Sequence, residues 1–128
     1  MIVVDTSALI AIVAREPSAQ RCADVLAETH TLISAATLTE ALIVGSRPEY
    51  RGAVEPLLDD LKLEVIPVDE ALGRLAAAAY ERWGKGFHRA ALNYGDSFSY
   101  ALAQMYDCPL LYVGEDFSRT DIRSALER

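Results

Sequence analysis

The sequence predicts an α/β domain in which a short parallel sheet of four to five strands is covered on both faces by helices. Three observations carry that prediction. Short apolar runs alternate along the chain with longer stretches of helical periodicity. Most of the short runs are continuous rather than alternating with polar residues, the mark of strands buried on both faces, as parallel sheets require. The 128 residues, 52% apolar and 24% charged, suffice for one core, so residues 1–128 read as a single folded domain rather than a disordered chain.

Ile2-Val3-Val4 opens the chain as a buried-type strand that stops at Asp5. Ser7 is placed to cap the apolar helix that follows, Ala8 to Ala14. Pro17 fits the first turn of a second helix, on which Cys22, Val25 and Leu26 share a face. Thr31-Leu32-Ile33 is the second strand. The next helix runs from about Ala35 to Val44, with Leu38, Ala41 and Leu42 as its stripe and Gly45 as its end signal. Tyr50, Val54, Leu57, Leu58 and Leu61 recur at helical spacing, and whether this face packs inward or against a second copy stays open. Leu63 to Ile66 is the third strand, broken by Pro67. Asp69 caps a long helix with Leu72, Leu75, Ala76, Ala79 and Trp83 on one side, and Gly84-Lys85-Gly86 ends it. Another helix starts near Gly95-Asp96 and aligns Phe98, Ala101, Leu102 and Met105. Leu110 to Val113 is the fourth strand, with Gly114-Glu115-Asp116 directly after it.

Several function classes fall away early. No apolar stretch reaches the roughly 18–20 residues needed to span a bilayer, so no membrane association is expected. The N-terminus lacks a basic region and meets an acid at Asp5, so it is not read as a signal peptide, and a cytoplasmic location is expected. Cys22 and Cys108 are far apart, form no C-x-x-C and read as reduced thiols that fill space. His30 and His88 are isolated and lack metal-ligand spacing. The formal net charge of −7 argues against non-specific nucleic-acid binding, so a nucleic-acid substrate would need bound cations, a local basic stretch or a partner chain.

A set of acids does not look like ordinary surface. In open α/β sheets ligands bind beyond the carboxyl ends of the strands. Asp5 sits at such an end, and Asp116 occupies a similar place after the fourth strand. Glu40 has Ala36, Thr37, Ile43 and Val44 on its helical face, too apolar for a solvated charge. Burying it unpaired is costly, which a metal or a cationic partner would resolve; a salt-bridged Glu40 stays open. Asp96, in the first turn of its helix, is by itself explained better by capping and the helix dipole than by function. As a set, these acids come from well-separated segments with no histidine or cysteine pairing to compete. Oxygen-only donors select hard cations, Mg²⁺ or Mn²⁺, and the matching chemistry is phosphodiester hydrolysis.

Four segments carry a resemblance: Val4-Asp5-Thr6-Ser7-Ala8-Leu9; Ser34-Ala35-Ala36-Thr37-Leu38-Thr39-Glu40; the stretch from Asn93-Tyr94-Gly95-Asp96 to Ala103; and Gly114-Glu115-Asp116-Phe117-Ser118-Arg119-Thr120-Asp121-Ile122. In order and spacing the chain resembles the PIN-domain family, specifically its VapC branch of toxin ribonucleases. The resemblance implies a PIN-like three-layer fold and an acidic pocket of Asp5, Glu40, Asp96 and Asp116 as catalytic residues. It implies metal contact by Asp5 and Asp96, with Glu40 and Asp116 completing the shell directly or through water, and Mg²⁺ or Mn²⁺ as cofactor. Thr6 is a candidate for a hydrogen bond within the pocket. The implied activity is endonucleolytic cleavage of structured RNA, transfer or ribosomal, leaving a 3′-hydroxyl and a 5′-phosphate. The implied partners are a VapB-type antitoxin whose C-terminal segment blocks the groove, operator DNA through the antitoxin only, and a second copy in a homodimer.

The chain departs from that pattern in two places. Glu115 stands where Asn or Asp is common, which places a fifth acid near the pocket. Arg123-Ser124-Ala125-Leu126 is more helical than the usual tail, so the final strand is expected short or missing. Lys85-Gly86-Phe87-His88-Arg89 is locally basic with an aromatic, so Lys85 and Arg89, together with Arg119, are candidates for RNA contact, a solvated loop being the competing reading. A phosphatase of the haloacid-dehalogenase type needs a second Asp two residues after the first, where this chain has Ser7. A receiver-like domain needs a lysine beyond the last strands, and none follows Lys85. A degenerate PIN domain that binds RNA or a partner without cleaving stays open.

Overall fold

The computed structural model describes residues 1–126. Four strands, β1 (Ile2–Val4), β2 (Thr31–Ser34), β3 (Glu64–Ile66) and β4 (Leu110–Leu111), form one sheet in the order β3-β2-β1-β4, every pair parallel. Six helices surround it: α1 (Thr6–Val13), α2 (Ala19–Glu28), α3 (Ala35–Gly45), α4 (Val54–Leu61), α5 (Glu70–Trp83) and α6 (Tyr94–Met105).

The two-residue period of the strands divides the core. Val3, Leu32 and Leu110 face one side with Leu72, Ala76 and Ala79 of α5 and Phe98 and Leu102 of α6. Ile2, Val4, Ile33 and Leu111 face the other with Leu9 of α1, Cys22 and Leu26 of α2 and Ala41 of α3. Helices on both faces of a parallel sheet are the architecture the apolar runs predict. The heptad-like face of α4 turns inward, Leu57, Leu58 and Leu61 packing on the second of these clusters. Both cysteines are free and buried, and burial raises both thiol pKa values, which keeps them protonated.

Several boundaries differ from the sequence reading. α1 begins at Thr6 rather than Ala8, because Asp5 and not Ser7 is its N-cap, the Asp5 carboxylate accepting from the Ser7 N–H. Pro17 lies ahead of α2, which starts at Ala19. β4 ends at Leu111 because its neighbour β1 turns into α1 after Val4; Leu111 O accepts the Asp5 N–H, and the Val113 N–H goes to the Ser7 hydroxyl instead of a ladder partner. α3 runs through Gly45, where Val54 of α4 presses so close that a Cβ would meet its side chain at 2.5 Å. The final strand is reduced to a single parallel bridge, Leu110 to Ser124, closed by Leu110 N–H to Arg123 O and Ala125 N–H to Leu110 O, both 2.9 Å. The C-terminal segment is also held by Tyr100, whose hydroxyl donates to Asp121 at 2.5 Å.

Because all four strands are parallel, their carboxyl ends share one edge. Asp5 follows β1, Ser34 ends β2, and α6 lays its first turn across the same edge, Ser99 reaching Asp5 and Thr37.

Candidate active site

Asp5 is 3% exposed, and both of its carboxylate oxygens are held. Oδ2 accepts from the Ser7 N–H at 3.0 Å and the Ser7 hydroxyl at 2.7 Å. Oδ1 accepts from the Ser99 hydroxyl of α6 at 2.6 Å. Three donors on one carboxylate fix its plane before any ligand arrives.

Asp96 stands in the first turn of α6, 8% exposed. Its carboxylate accepts the Asn93 N–H at 3.0 Å while the Asn93 side chain accepts the Asp96 N–H at 2.8 Å, a reciprocal capping box. The capping and pocket readings of this residue are therefore compatible. Burial pushes its pKa up to about 7; the Asn93 N–H opposes the rise, and the charges of Asp5, Asp116 and Glu40 add to it. The acids from four segments thus share one field.

Glu40 reaches this cluster from α3. Its Oε1 accepts the Thr6 hydroxyl at 2.5 Å. Gly95 lies against the same carboxylate, so close that a Cβ there would collide with it. Asp116 is exposed at the rim, ahead of a 3-10 turn over Phe117–Arg119 and after Gly114, whose φ of +103° permits the reversal out of β4.

The other sequence candidates lie farther out. Glu115 pairs with Arg119 at 3.7 Å, both on the surface. Lys85 and Arg89 are exposed on the α5–α6 loop, whose ends are pinned by a bridge between Gly84 and Leu92. Phe87, 64% exposed, and Tyr94, 75% exposed, line an open groove of about 620 Å³ between α5 and α6 with Tyr80 and Phe98. The first turn of α6 is shared: Gly95 faces the acids, and Tyr94, Ser97 and Phe98 face the groove.

Ser7, Thr37, Gly95 and Ser99 were not among the sequence candidates for the site. A usable signal existed, since Ser99 follows Asp96 by three residues and Thr37 precedes Glu40 by three, so each pair shares a helical face.

Among the described residues, no Lys, Arg or His forms an ion pair with Asp5, Glu40, Asp96 or Asp116. Nor do any three acids, histidines or cysteines there close on one point as a preformed metal cage. A donor set of carboxylates alone, mutually repelling and without a protein cation, suits a hard cation that keeps several of its waters, as Mg²⁺ does. It suits zinc less well, whose protein sites are built mainly on histidine nitrogen and cysteine sulfur. The geometry fits water-bridged contacts for part of the set better than four direct ones.

A family model described as PIN domain matches residues 2–123. "VapC ribonuclease Mb2780c" of Mycobacterium bovis is 44% identical over 128 residues, covering 96% of this chain and 98% of that relative. "Ribonuclease VapC" of Mycolicibacterium smegmatis is 41% identical over 124 residues, covering 94% and 96%. Among solved structures, Mycobacterium tuberculosis VapC20, a Sarcin-Ricin loop cleaving toxin, superposes with a TM-score of 0.73 at 20% identity, over 95% of this chain and 96% of that one. A toxin–antitoxin complex from Klebsiella pneumoniae superposes with a TM-score of 0.73 at 16% identity, over 99% and 98%. These two likenesses speak for the fold.

Proposed function

The chain belongs to the PIN-domain family, in its VapC branch, and from that premise we propose that it is an endoribonuclease, the toxin of a type II toxin–antitoxin pair, cutting structured RNA of the transfer or ribosomal kind. The observation that carries the reading is the cluster of carboxylates with no ion-paired cation among the described residues, in which Asp5 is held by three donors and Asp96 is pushed up to about 7.

Asp5 and Asp96 would hold a Mg²⁺ or Mn²⁺ ion, with Glu40 and Asp116 contributing directly or through water. When bound, such an ion polarises the scissile phosphate, lowers the pKa of an attacking water and stabilises the leaving oxygen. The chain's own residues prepare for it. Ser7 and Ser99 keep the Asp5 carboxylate oriented. Thr6 fixes one oxygen of Glu40, which stops it swinging away from its neighbours' charges. Burial pushes Asp96 up to about 7, and a bound cation would favour its ionised form.

A chain of net charge −7 needs local help to meet RNA. Lys85 and Arg89 on the α5–α6 loop and Arg119 beside the rim are assigned to the phosphate backbone. The exposed rings of Phe87 and Tyr94 suit stacking of unpaired bases. The partners in this reading are a VapB-type antitoxin that occupies the groove, operator DNA reached only through it, and a second copy in a homodimer.

The test is transcriptome-wide mapping of RNA 5′-phosphate ends after brief induction in a bacterial host, wild type beside Asp5→Asn. New ends at a few sites in wild type alone are expected. Equal cleavage by a folded Asp5→Asn variant would refute the role given to Asp5. No new ends from folded wild type would leave a PIN domain that binds without cutting.

A further inference from the structure

Behind Asp5 the Ser99 contact continues into a line of buried hydroxyls, of which the reading above uses Ser99 alone. Ser99 is 0% exposed and donates to Asp5 Oδ1 at 2.6 Å. Thr37, 1% exposed, lies 3.2 Å from Ser99 by its hydroxyl. Ser34, 0% exposed, lies 3.2 Å from the Thr37 hydroxyl, and its oxygen accepts the Thr37 N–H at 3.0 Å.

The direction of this line follows from its end. An ionised carboxylate only accepts, so the single Ser99 proton goes to Asp5. Ser99 then has only lone pairs to offer Thr37, so Thr37 donates to Ser99 and Ser34 donates to Thr37. The Ser34 oxygen is left to accept the Thr37 N–H, one of the unpaired donors of the α3 N-terminus. Every dipole therefore points toward Asp5, and hydrogen bonds aligned in series strengthen one another. The line also crosses three segments, β2 with α3, then α6, then the β1–α1 junction. These segments carry Glu40, Asp96 and Asp5.

We propose that Ser99, backed by Thr37 and Ser34, is a positioning residue that holds Asp5 in the orientation needed to present its carboxylate to a divalent cation. The proposal rests on the metal-dependent reading above. Partners that orient a metal-binding side chain from behind commonly change metal affinity by 10–100-fold when removed, on the order of magnitude expected here.

The test is Mn²⁺ binding to the whole chain without RNA, read from the electron paramagnetic resonance signal of free Mn²⁺. Ser99→Ala should weaken binding roughly tenfold. Thr37→Val, which keeps shape and removes the donor, should weaken it by about two- to threefold. The double variant should bind no more weakly than Ser99→Ala, because Thr37 acts through Ser99. Ser97→Ala removes a buried hydroxyl from the same helix whose bond goes to Tyr94 O, and should leave the affinity unchanged. A merely structural role would lower the melting temperature of Ser99→Ala and leave its Mn²⁺ affinity alone; that result overturns the proposal, as do additive losses in the double variant. If Ser99→Ala does not fold, wild-type affinity in Thr37→Val overturns it. Wild type that takes up no Mn²⁺ overturns the metal reading and this proposal together, whereas intact wild-type binding with an unaffected Ser99→Ala overturns the proposal alone.

Discussion

Replacing Asp96 with asparagine should make the metal-free protein more resistant to unfolding, by an amount that grows with pH. The folded-state pKa is raised from 3.8 to about 7, chiefly by burial. Below 3.8 the carboxyl is protonated in both states and its burial costs no charge. Between 3.8 and 7 the unfolded chain has released the proton and the folded chain still holds it, so stability falls as pH rises. Each pH unit in that window costs roughly 1.4 kcal/mol, about 4 kcal/mol across the whole window as an upper bound. From pH 5 to pH 8 the gap between Asp96→Asn and wild type should therefore widen by roughly 2.5 kcal/mol in the variant's favour. The amide can still accept the Asn93 N–H, so the capping box survives and the comparison isolates the charge. Urea unfolding at the two pH values reads this as a change in the midpoint difference on the order of 1 M. Saturating Mg²⁺ should stabilise wild type at pH 8 and close most of the gap, because the cation favours the ionised form. A gap that stays constant from pH 5 to pH 8 would refute the assignment of the raised pKa to Asp96.

Two further substitutions probe the frame of the site. Gly95→Ala, otherwise favourable inside a helix by up to about 1 kcal/mol, puts a Cβ into the Glu40 carboxylate; it should cut RNA cleavage at least about tenfold while circular dichroism shows the helices intact, an estimate for misplacing one carboxylate of a metal site. Wild-type cleavage would show that Glu40 moves aside freely. Tyr100→Phe removes the 2.5 Å bond to Asp121, a carboxylate that also pairs with Arg82 at 3.6 Å; it should cost about 1.5–3 kcal/mol in urea unfolding. No change would mean that this bond does not hold the C-terminal segment.

Much of the fold is legible in local patterning. The runs Ile2-Val3-Val4 and Thr31-Leu32-Ile33 are apolar at every position because both faces of the sheet are covered, and the helical stripes of α5 and α6 name the residues that cover one of them. Boundaries are less legible. Ser7 and Asp5 are both good cap residues two positions apart, and the choice between them depends on where β1 stops pairing with β4. The short β4 has the same origin, since Tyr112 and Val113 are apolar enough for a strand whose neighbour has already turned away. The tail reads as more helical than strand-like, with a final strand short or missing, and among the described residues it makes one bridge.

The four acids could be picked out from the sequence because charge beside a buried element is costly enough to need a reason. Sequence by itself determined their places, Asp5 at a strand end, Asp116 shortly after one, Glu40 within α3 and Asp96 in the first turn of α6, and made a hard cation the expected ligand of oxygen donors. Only the tertiary structure decided which groups stand behind them. Ser99 lies 94 positions from Asp5, and Thr37 lies 62 from Ser99. Those pairings follow from the parallel sheet bringing separated strand ends to one edge and from the rotation of α6 above it. The same rotation sends Gly95 to Glu40 and Tyr94 to the opposite groove. Hydrogen bonds require angstrom-level placement, and placement across such separations is set by the packing of the whole core, which no local pattern encodes.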